Sequence, residues 1–179
     1  MGKQAINNQN KTSLVKGLVP PHNIAVEQAV IGALIVQSSA VEDCFEIIKT
    51  SDVFYKENHR VIFEAIQSLH AQGNQIDLLT IAKELRVMGA YEVSGGDAYL
   101  IMLSQMTSSA AHIETHSRLL LQDYIKRAVI RMNQETMALA YDESVDSLEL
   151  LGGFQKMFDT ISDSVMTGRR TMSFADSLS

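Results

Sequence analysis

The sequence predicts an all-α protein, with a compact five-helix head followed by a long helical hairpin and the start of a linker helix. Three observations carry this. Alanine, leucine, isoleucine, methionine and glutamate dominate a chain with no tryptophan and 6% aromatic residues, a mixture that favours helices over sheets. The two prolines, Pro20 and Pro21, are adjacent, so the rest of the chain is free to run helical. Neither Gly nor Pro occurs between Ala110 and Tyr141, a stretch that would span about 45 Å as one helix.

Met1 to Leu18 is rich in Asn, Gln, Lys and Ser and carries Lys3, Lys11 and Lys16 without an acid, which reads as a disordered polar tail. The head is expected over 19–108. Pro20-Pro21 ends the tail in an extended conformation, and Asn23 caps a first helix over Ile24–Val36, where only Glu27 and Gln28 are polar. A helix that apolar on nearly every side is central, and Gly32 permits a close neighbour. Ser39-Ala40-Val41-Glu42 has the form of a capping box and opens a second helix to about Ile48. Ser51 to Tyr55 makes a turn. Val61, Ile62, Ala65, Ile66 and Leu69 then recur at helical spacing until Gly73. A fourth helix follows Asp77 through Leu78, Ile81, Ala82, Leu85 and Val87 to Gly89, and Gly95-Gly96 opens a fifth through Tyr99, Leu100, Leu103 and Met106.

The hairpin is expected over 109–166. In its first helix Leu121, Ile125, Ala128, Met132 and Leu139 form one apolar seam, with a second edge through Leu120, Tyr124 and Ile130. Asp146-Ser147-Leu148-Glu149 caps the second helix, where Leu151, Phe154, Phe158, Ile161 and Val165 keep three-four spacing. Gly152-Gly153 costs on the order of 1 kcal/mol per glycine, which favours a start only at Phe154. Residues 167–179 read as a linker, with a further capping box at Ser173-Phe174-Ala175-Asp176, and the chain is expected to stop where a larger domain begins. A paired hairpin buries one face of each helix, so Tyr124, Ile130 and Met157, outside the seam, are candidates to meet a partner.

The net charge of -6, with no cluster of Lys and Arg, argues against direct duplex DNA binding. Cys44 is the only cysteine, so an intrachain disulfide framework is excluded and a reducing cytoplasm is expected. No uncharged apolar run is long enough to span a membrane. No G-x-x-x-x-G-K-[ST] or G-x-G-x-x-G occurs, so Gly95 and Gly96 do not make a nucleotide loop. His112 and His116 lie four apart, but Glu114 falls about 200° around the helix rather than beside the first His as H-E-x-x-H requires. They read as a surface pair. Cys44, among Val41, Phe45, Ile47 and Ile48, reads as a small core residue rather than a nucleophile.

Five ordered blocks resemble the N-terminal domain of bacterial replicative DNA helicases of the DnaB family. They are Pro20-Pro21-His22-Asn23-Ile24 with Glu27 to Leu34, Asp52-Val53-Phe54-Tyr55 with His59 to Phe63, Ile76 to Thr80, Gly95 to Leu100, and Ser109 to Glu114. The resemblance covers about residues 19 to 166 and departs at Gly152-Gly153 and Phe154. It implies a non-catalytic assembly and primase-docking domain. ATP and magnesium would be bound only by an absent motor domain, which would also carry the contacts with DNA. Self-association into a hexamer, a trimer of dimers, and a possible helicase loader are further implied partners.

On this basis Tyr99 and Ile130 are expected to anchor primase, and Tyr124, Phe154, Met157, Phe158 and Ile161 to mediate self-association. The physical part of the argument is that Tyr99 can bury its ring with a wet hydroxyl, and that Ile130 lies off the seam. Two other readings are the helicase-binding domain of a primase, which shares a head-plus-hairpin build, and a metal-dependent hydrolase using His112 and His116.

Overall fold

The computed structural model of the chain describes residues 18–106 and 109–169, with side chains through residue 163. The expected tail up to Gly17 and the capping box at Ser173 lie outside the described residues. All regular elements among the described residues are helical.

Helix α1 (Ile24–Val36) begins where Asn23 Oδ1 accepts the Val26 N–H at 3.2 Å. Val30, Ile31, Gly32, Ala33, Leu34 and Ile35 are all buried, because the helix is surrounded by α2 (Ala40–Ile47), α3 (Glu57–Ala71), α6 (Gly96–Met106) and α7 (Ile113–Ala140). The Ser39 capping box does not form: Ser39 itself adopts helical angles, and its hydroxyl accepts from Gln37 Nε2 instead. A 3-10 turn at Ser51–Val53 follows, capped by Thr50. Phe54 and Phe63 then fill the middle of the head with ring centroids 4.9 Å apart, both fully buried.

Asp77 and Thr80 make a complete capping box for α4 (Leu78–Val87). Val87, expected on its apolar face, is exposed, since the helix ends there and the chain turns away through Gly89 at φ 69°. A one-turn helix α5 (Tyr91–Ser94), absent from the sequence expectation, then intervenes. Arg86 holds it, stacked 4.0 Å over the Tyr91 ring and 3.4 Å from Asp97. Four residues are too few to display a period.

Gly95 has φ 89°, and a Cβ built on it would stand 2.8 Å from Tyr99 Cβ. Gly95→Ala therefore incurs both the left-handed backbone cost of about 1–2 kcal/mol and this overlap. The expected result is a loss of at least that much in urea unfolding, whereas alanine at exposed Gly152 in α8 (Ser147–Arg169), with nothing within 4 Å, leaves the head unchanged.

Helix α7 begins inside the head. Ile113, Ser117 and Leu120 recur on one face and are buried against α1 and α2, while Ala128 and Met132 further along are covered by α8. Leu120, expected on an outer edge, is thus core at 1% exposure. Leu139, expected in the seam, is half exposed near the end of the hairpin. Helix α8 starts at Ser147, not at Phe154: Asp146 Oδ1 accepts the Leu148 and Glu149 amides at 2.8 and 3.2 Å, and the helix runs through Gly152-Gly153. Its backbone stays helical through Thr167 to Arg169, where a linker is expected.

Candidate self-association and partner surface

The deepest polar feature of the head is a buried chain of hydrogen bonds between three helices. Glu27 on α1 and His59 on α3 are 1% and 0% exposed, with Glu27 Oε2 2.6 Å from His59 Nδ1. Glu27 Oε1 accepts the Tyr55 N–H at 2.6 Å and Oε2 the Lys56 N–H at 3.3 Å, so the carboxylate also closes the turn that enters α3. On the far side His59 Nε2 stands 2.7 Å from the Tyr99 hydroxyl on α6, which accepts from Gln28 Nε2 at 3.4 Å. An ionised carboxylate only accepts, so His59 Nδ1–H donates to Glu27, and neutral Nε2 accepts from Tyr99. Burial alone would raise the Glu27 carboxyl. The His59 bond and the Tyr55 and Lys56 amides outweigh it and hold the group below its ordinary value of 4.5.

The Tyr99 hydroxyl is therefore not a wet tip, as the sequence reading has it, but the end of an internal chain. Sequence inspection identifies Glu27 as one of two polar residues in α1, and that isolation in an apolar helix is the signal that could have found its partner.

A second tie joins the hairpin to the head. Arg127 on α7 donates from Nη1 to the Pro21 carbonyl at 2.9 Å and from Nη2 to those of Val53 at 2.6 Å and Asp52 at 3.3 Å. The His22 ring stacks on Tyr55 at 4.2 Å, and the Arg127 guanidinium stands 5.8 Å from the Tyr55 centroid. Two segments well apart in sequence, around Pro21 and Val53, thus meet on one arginine. Beside it lies a cleft of about 260 Å³ between Pro20, Asp52, Tyr55 and Arg60 of the head and Tyr124, Arg127, Ile130, Arg131 and Gln134 of α7.

Of the expected self-association residues, Tyr124, Met157 and Ile161 come together at a smaller cleft of about 180 Å³ between α7 and α8, with Ala128 and Met132 at its floor. Phe154 is partly covered on the same helix, and Phe158 is 52% exposed. Leu148, Leu151, Val129, Met137 and Tyr141 add further exposed apolar side chains along the hairpin. Ile130 lines the arginine cleft together with Tyr124, and Tyr99 does not join them there.

The remaining chemistry is structural. Cys44 is fully buried, Ser117 Oγ donates to its sulfur at 3.5 Å, and burial pushes the thiol up to about 11. His112 and His116 have ring centroids 6.0 Å apart, and among the described residues no group of three or more His, Cys, Asp or Glu could hold a metal ion. No described helix is long and apolar enough to cross a membrane.

Comparison with known proteins gives the arrangement a family. The family described as DnaB-like helicase N terminal domain matches residues 19–122. The chain belongs to this family. The replicative DNA helicase DnaB of Rhodothermus marinus is 36% identical over 147 residues, 82% of this chain and 15% of that protein. DnaB of Treponema pallidum is 32% identical over 76% of this chain, and the replicative helicase DnaC of Bacillus subtilis is 32% identical over 81% of it. The chain spans only 15% to 32% of the length of these three relatives. Among solved structures, the N-terminal domain of DnaB helicase from Mycobacterium tuberculosis aligns with a TM-score of 0.73 at 26% identity, covering 81% of this chain and 99% of that one. A DnaB-like replicative helicase, described together with its interactions with primase, shares the fold with a TM-score of 0.64 at 22% identity. Arg127 holds together two segments that lie within the DnaB-like blocks around Pro20 to Ile24 and Asp52 to Tyr55.

Proposed function

We propose that this chain is the assembly and primase-docking domain of a hexameric, ATP-dependent replicative DNA helicase that translocates 5′ to 3′ in the cytoplasm. ATP with magnesium, contact with DNA and strand separation belong to the motor domain of that helicase, and a loader is a further partner of the assembly. The observation that carries this reading is the family match to a helicase N-terminal domain, seen beside a hairpin whose Phe158, Leu151, Met137 and Tyr141 stay open to solvent within one copy. Apolar side chains left open along the length of a hairpin offer a contact surface. Self-association through Tyr124, Phe154, Met157, Phe158 and Ile161 covers them, and copies so joined form dimers that build a trimer of dimers.

Primase docks on a composite surface of α6 of the head and α7 of the hairpin, with Ile130 and Tyr99 as anchors. Ile130 gives the clean test because its side chain is partly exposed in the arginine cleft and supports no internal hydrogen bond. Titration of primase into Ile130→Ala should lose more than about 1 kcal/mol of affinity with the melting temperature little changed. Unchanged affinity in the folded variant contradicts the site. Tyr99→Phe is the companion variant: it keeps the ring and removes only the hydroxyl with its bonds to His59 and Gln28, so a loss of primase affinity beyond its stability loss would assign the hydroxyl a role at the interface.

A further inference from the structure

We propose that Arg127 is the positioning residue of the arginine cleft: it gathers the 52–56 loop of the head and the base of the hairpin onto one guanidinium, so that the cleft keeps its shape only while the hairpin is docked on the head. This rests on the reading that primase docks at Ile130, and adds which residue shapes that surface and how the two parts of the chain are coupled there.

The chain from Asp52 to Lys56 passes from the 3-10 turn into α3, and charged side chains supply the partners that regular structure does not. On the amide side, Glu27 accepts the Tyr55 and Lys56 N–H groups at 2.6 and 3.3 Å. On the carbonyl side, Arg60 donates to Phe54 from Nε at 2.7 Å and to Tyr55 from Nη2 at 3.5 Å. Arg127 donates to Val53 at 2.6 Å and Asp52 at 3.3 Å, while its other terminal nitrogen reaches Pro21 at 2.9 Å. The carbonyls from Asp52 to Tyr55 are thus held in succession by two guanidinium groups. Glu27 and Arg60 belong to α1 and α3 of the head. Arg127 comes from α7, about 10 Å along the helix beyond the core residue Leu120.

Charge holds the guanidinium in place as well. Burial works against it, the carboxylates of Glu27 and Asp123 attract it, and Arg60 repels it. Those carboxylates leave it little pull on a further anion, so its role in the cleft is geometric. Asp52 and Tyr55 wall the cleft on the head side, Tyr124 and Ile130 on the hairpin side, and Arg127 joins the two. The Tyr55 ring is set between the His22 ring, stacked at 4.2 Å, and the Arg127 guanidinium at 5.8 Å.

Were α7 to lift from the head, the Pro21 and Val53 carbonyls would lose their shared donor and the cleft would lose a wall. An occupant that touches both walls opposes that movement. Binding at the cleft and docking of the hairpin therefore favour each other, because coupling between two sites is reciprocal. Lysine does not replace the arginine here. An ammonium carries the charge as a point, whereas the planar fork spans carbonyls from two segments.

Arg127→Lys in the whole chain separates positioning from charge and from stability. Hydrogen exchange read by mass spectrometry should show segment 52–56 exchanging at least about tenfold faster, while the core of α1 and α3 around Leu34 and Phe63 keeps its wild-type rate. Titration with primase should find binding at least about tenfold weaker. Wild-type exchange in 52–56, or faster exchange throughout the head, overturns the proposal. So does a loss of affinity in Ile130→Ala without one in Arg127→Lys, because the cleft would then bind primase without its arginine. Wild-type affinity in both variants, with the loop loosened, defeats the docking reading instead and leaves the hold of Arg127 on the loop standing.

If Arg127→Lys does not fold, the wild-type chain carries the test. Saturating primase should slow exchange in 52–56 and in 124–131 together. Protection of one segment without the other overturns the proposal, and protection of neither defeats the docking reading.

Discussion

Replacing His59 by leucine is expected to destabilise the head by about 1–3 kcal/mol, the cost of leaving buried hydrogen-bonding groups without a partner. The carboxylate of Glu27, 1% exposed, would keep its two amide donors but lose the 2.6 Å bond to the imidazole, and the Tyr99 hydroxyl would lose its buried acceptor. Because α1, α3 and α6 all contribute to the chain, the loss should appear as a lower urea midpoint for the entire head rather than as fraying of one helix.

The acid limb gives an independent readout. Glu27 titrates below its ordinary value in the folded head, so the stability it contributes is fully present above about pH 4.5 and is lost as pH falls through the lowered value. Glu27→Gln should flatten that part of the stability profile. An unchanged midpoint for His59→Leu, together with an unchanged acid limb for Glu27→Gln, would show that the pair contributes nothing.

Leu120→Ala should cost about 2–5 kcal/mol, the range for a leucine truncated in a packed core. Leu120 is 1% exposed and sits where the long helix is still part of the head. Its distinguishing consequence is on cooperativity. Since Ile113, Ser117 and Leu120 join α7 to α1 and α2, both the head and the hairpin should melt earlier and in one transition when monitored by circular dichroism. A head that melts as wild type while the hairpin melts early would mean that the two are independent.

The helical class, the order of the long helices and the Asn23 and Asp77 ends were legible because they rest on local chemistry, namely apolar periodicity and capping side chains. Ser39 failed for a local reason as well. The connection from Gln37 is so tight that Ser39 is already helical, which turns its hydroxyl away from the amides it was expected to cap. Gly152-Gly153 misled because propensity is a weak term beside the Asp146 cap and the packing of α8 on α7.

The site was legible only in part. Heptad spacing marks Ile161 correctly as facing α7, but it puts Met157 and Tyr124, which line the cleft between α7 and α8, outside the seam, and it cannot distinguish the seam from the head-facing side of one helix, which is why Leu120 was misplaced. His59 and Arg127 were missed because their meaning lies in partners 32 and 106 residues away, and no window of local sequence contains both ends of those bonds.

The central claim is that this domain exists to assemble. Sedimentation equilibrium of the wild-type chain from low to high micromolar concentration tests it most directly, with Phe158→Ala beside it, because Phe158 is half exposed and its loss leaves the fold of one copy intact. The account predicts dimers or larger species for wild type and a shift toward monomer for Phe158→Ala at equal melting temperature. A wild-type chain that remains monomeric at high micromolar concentration contradicts it.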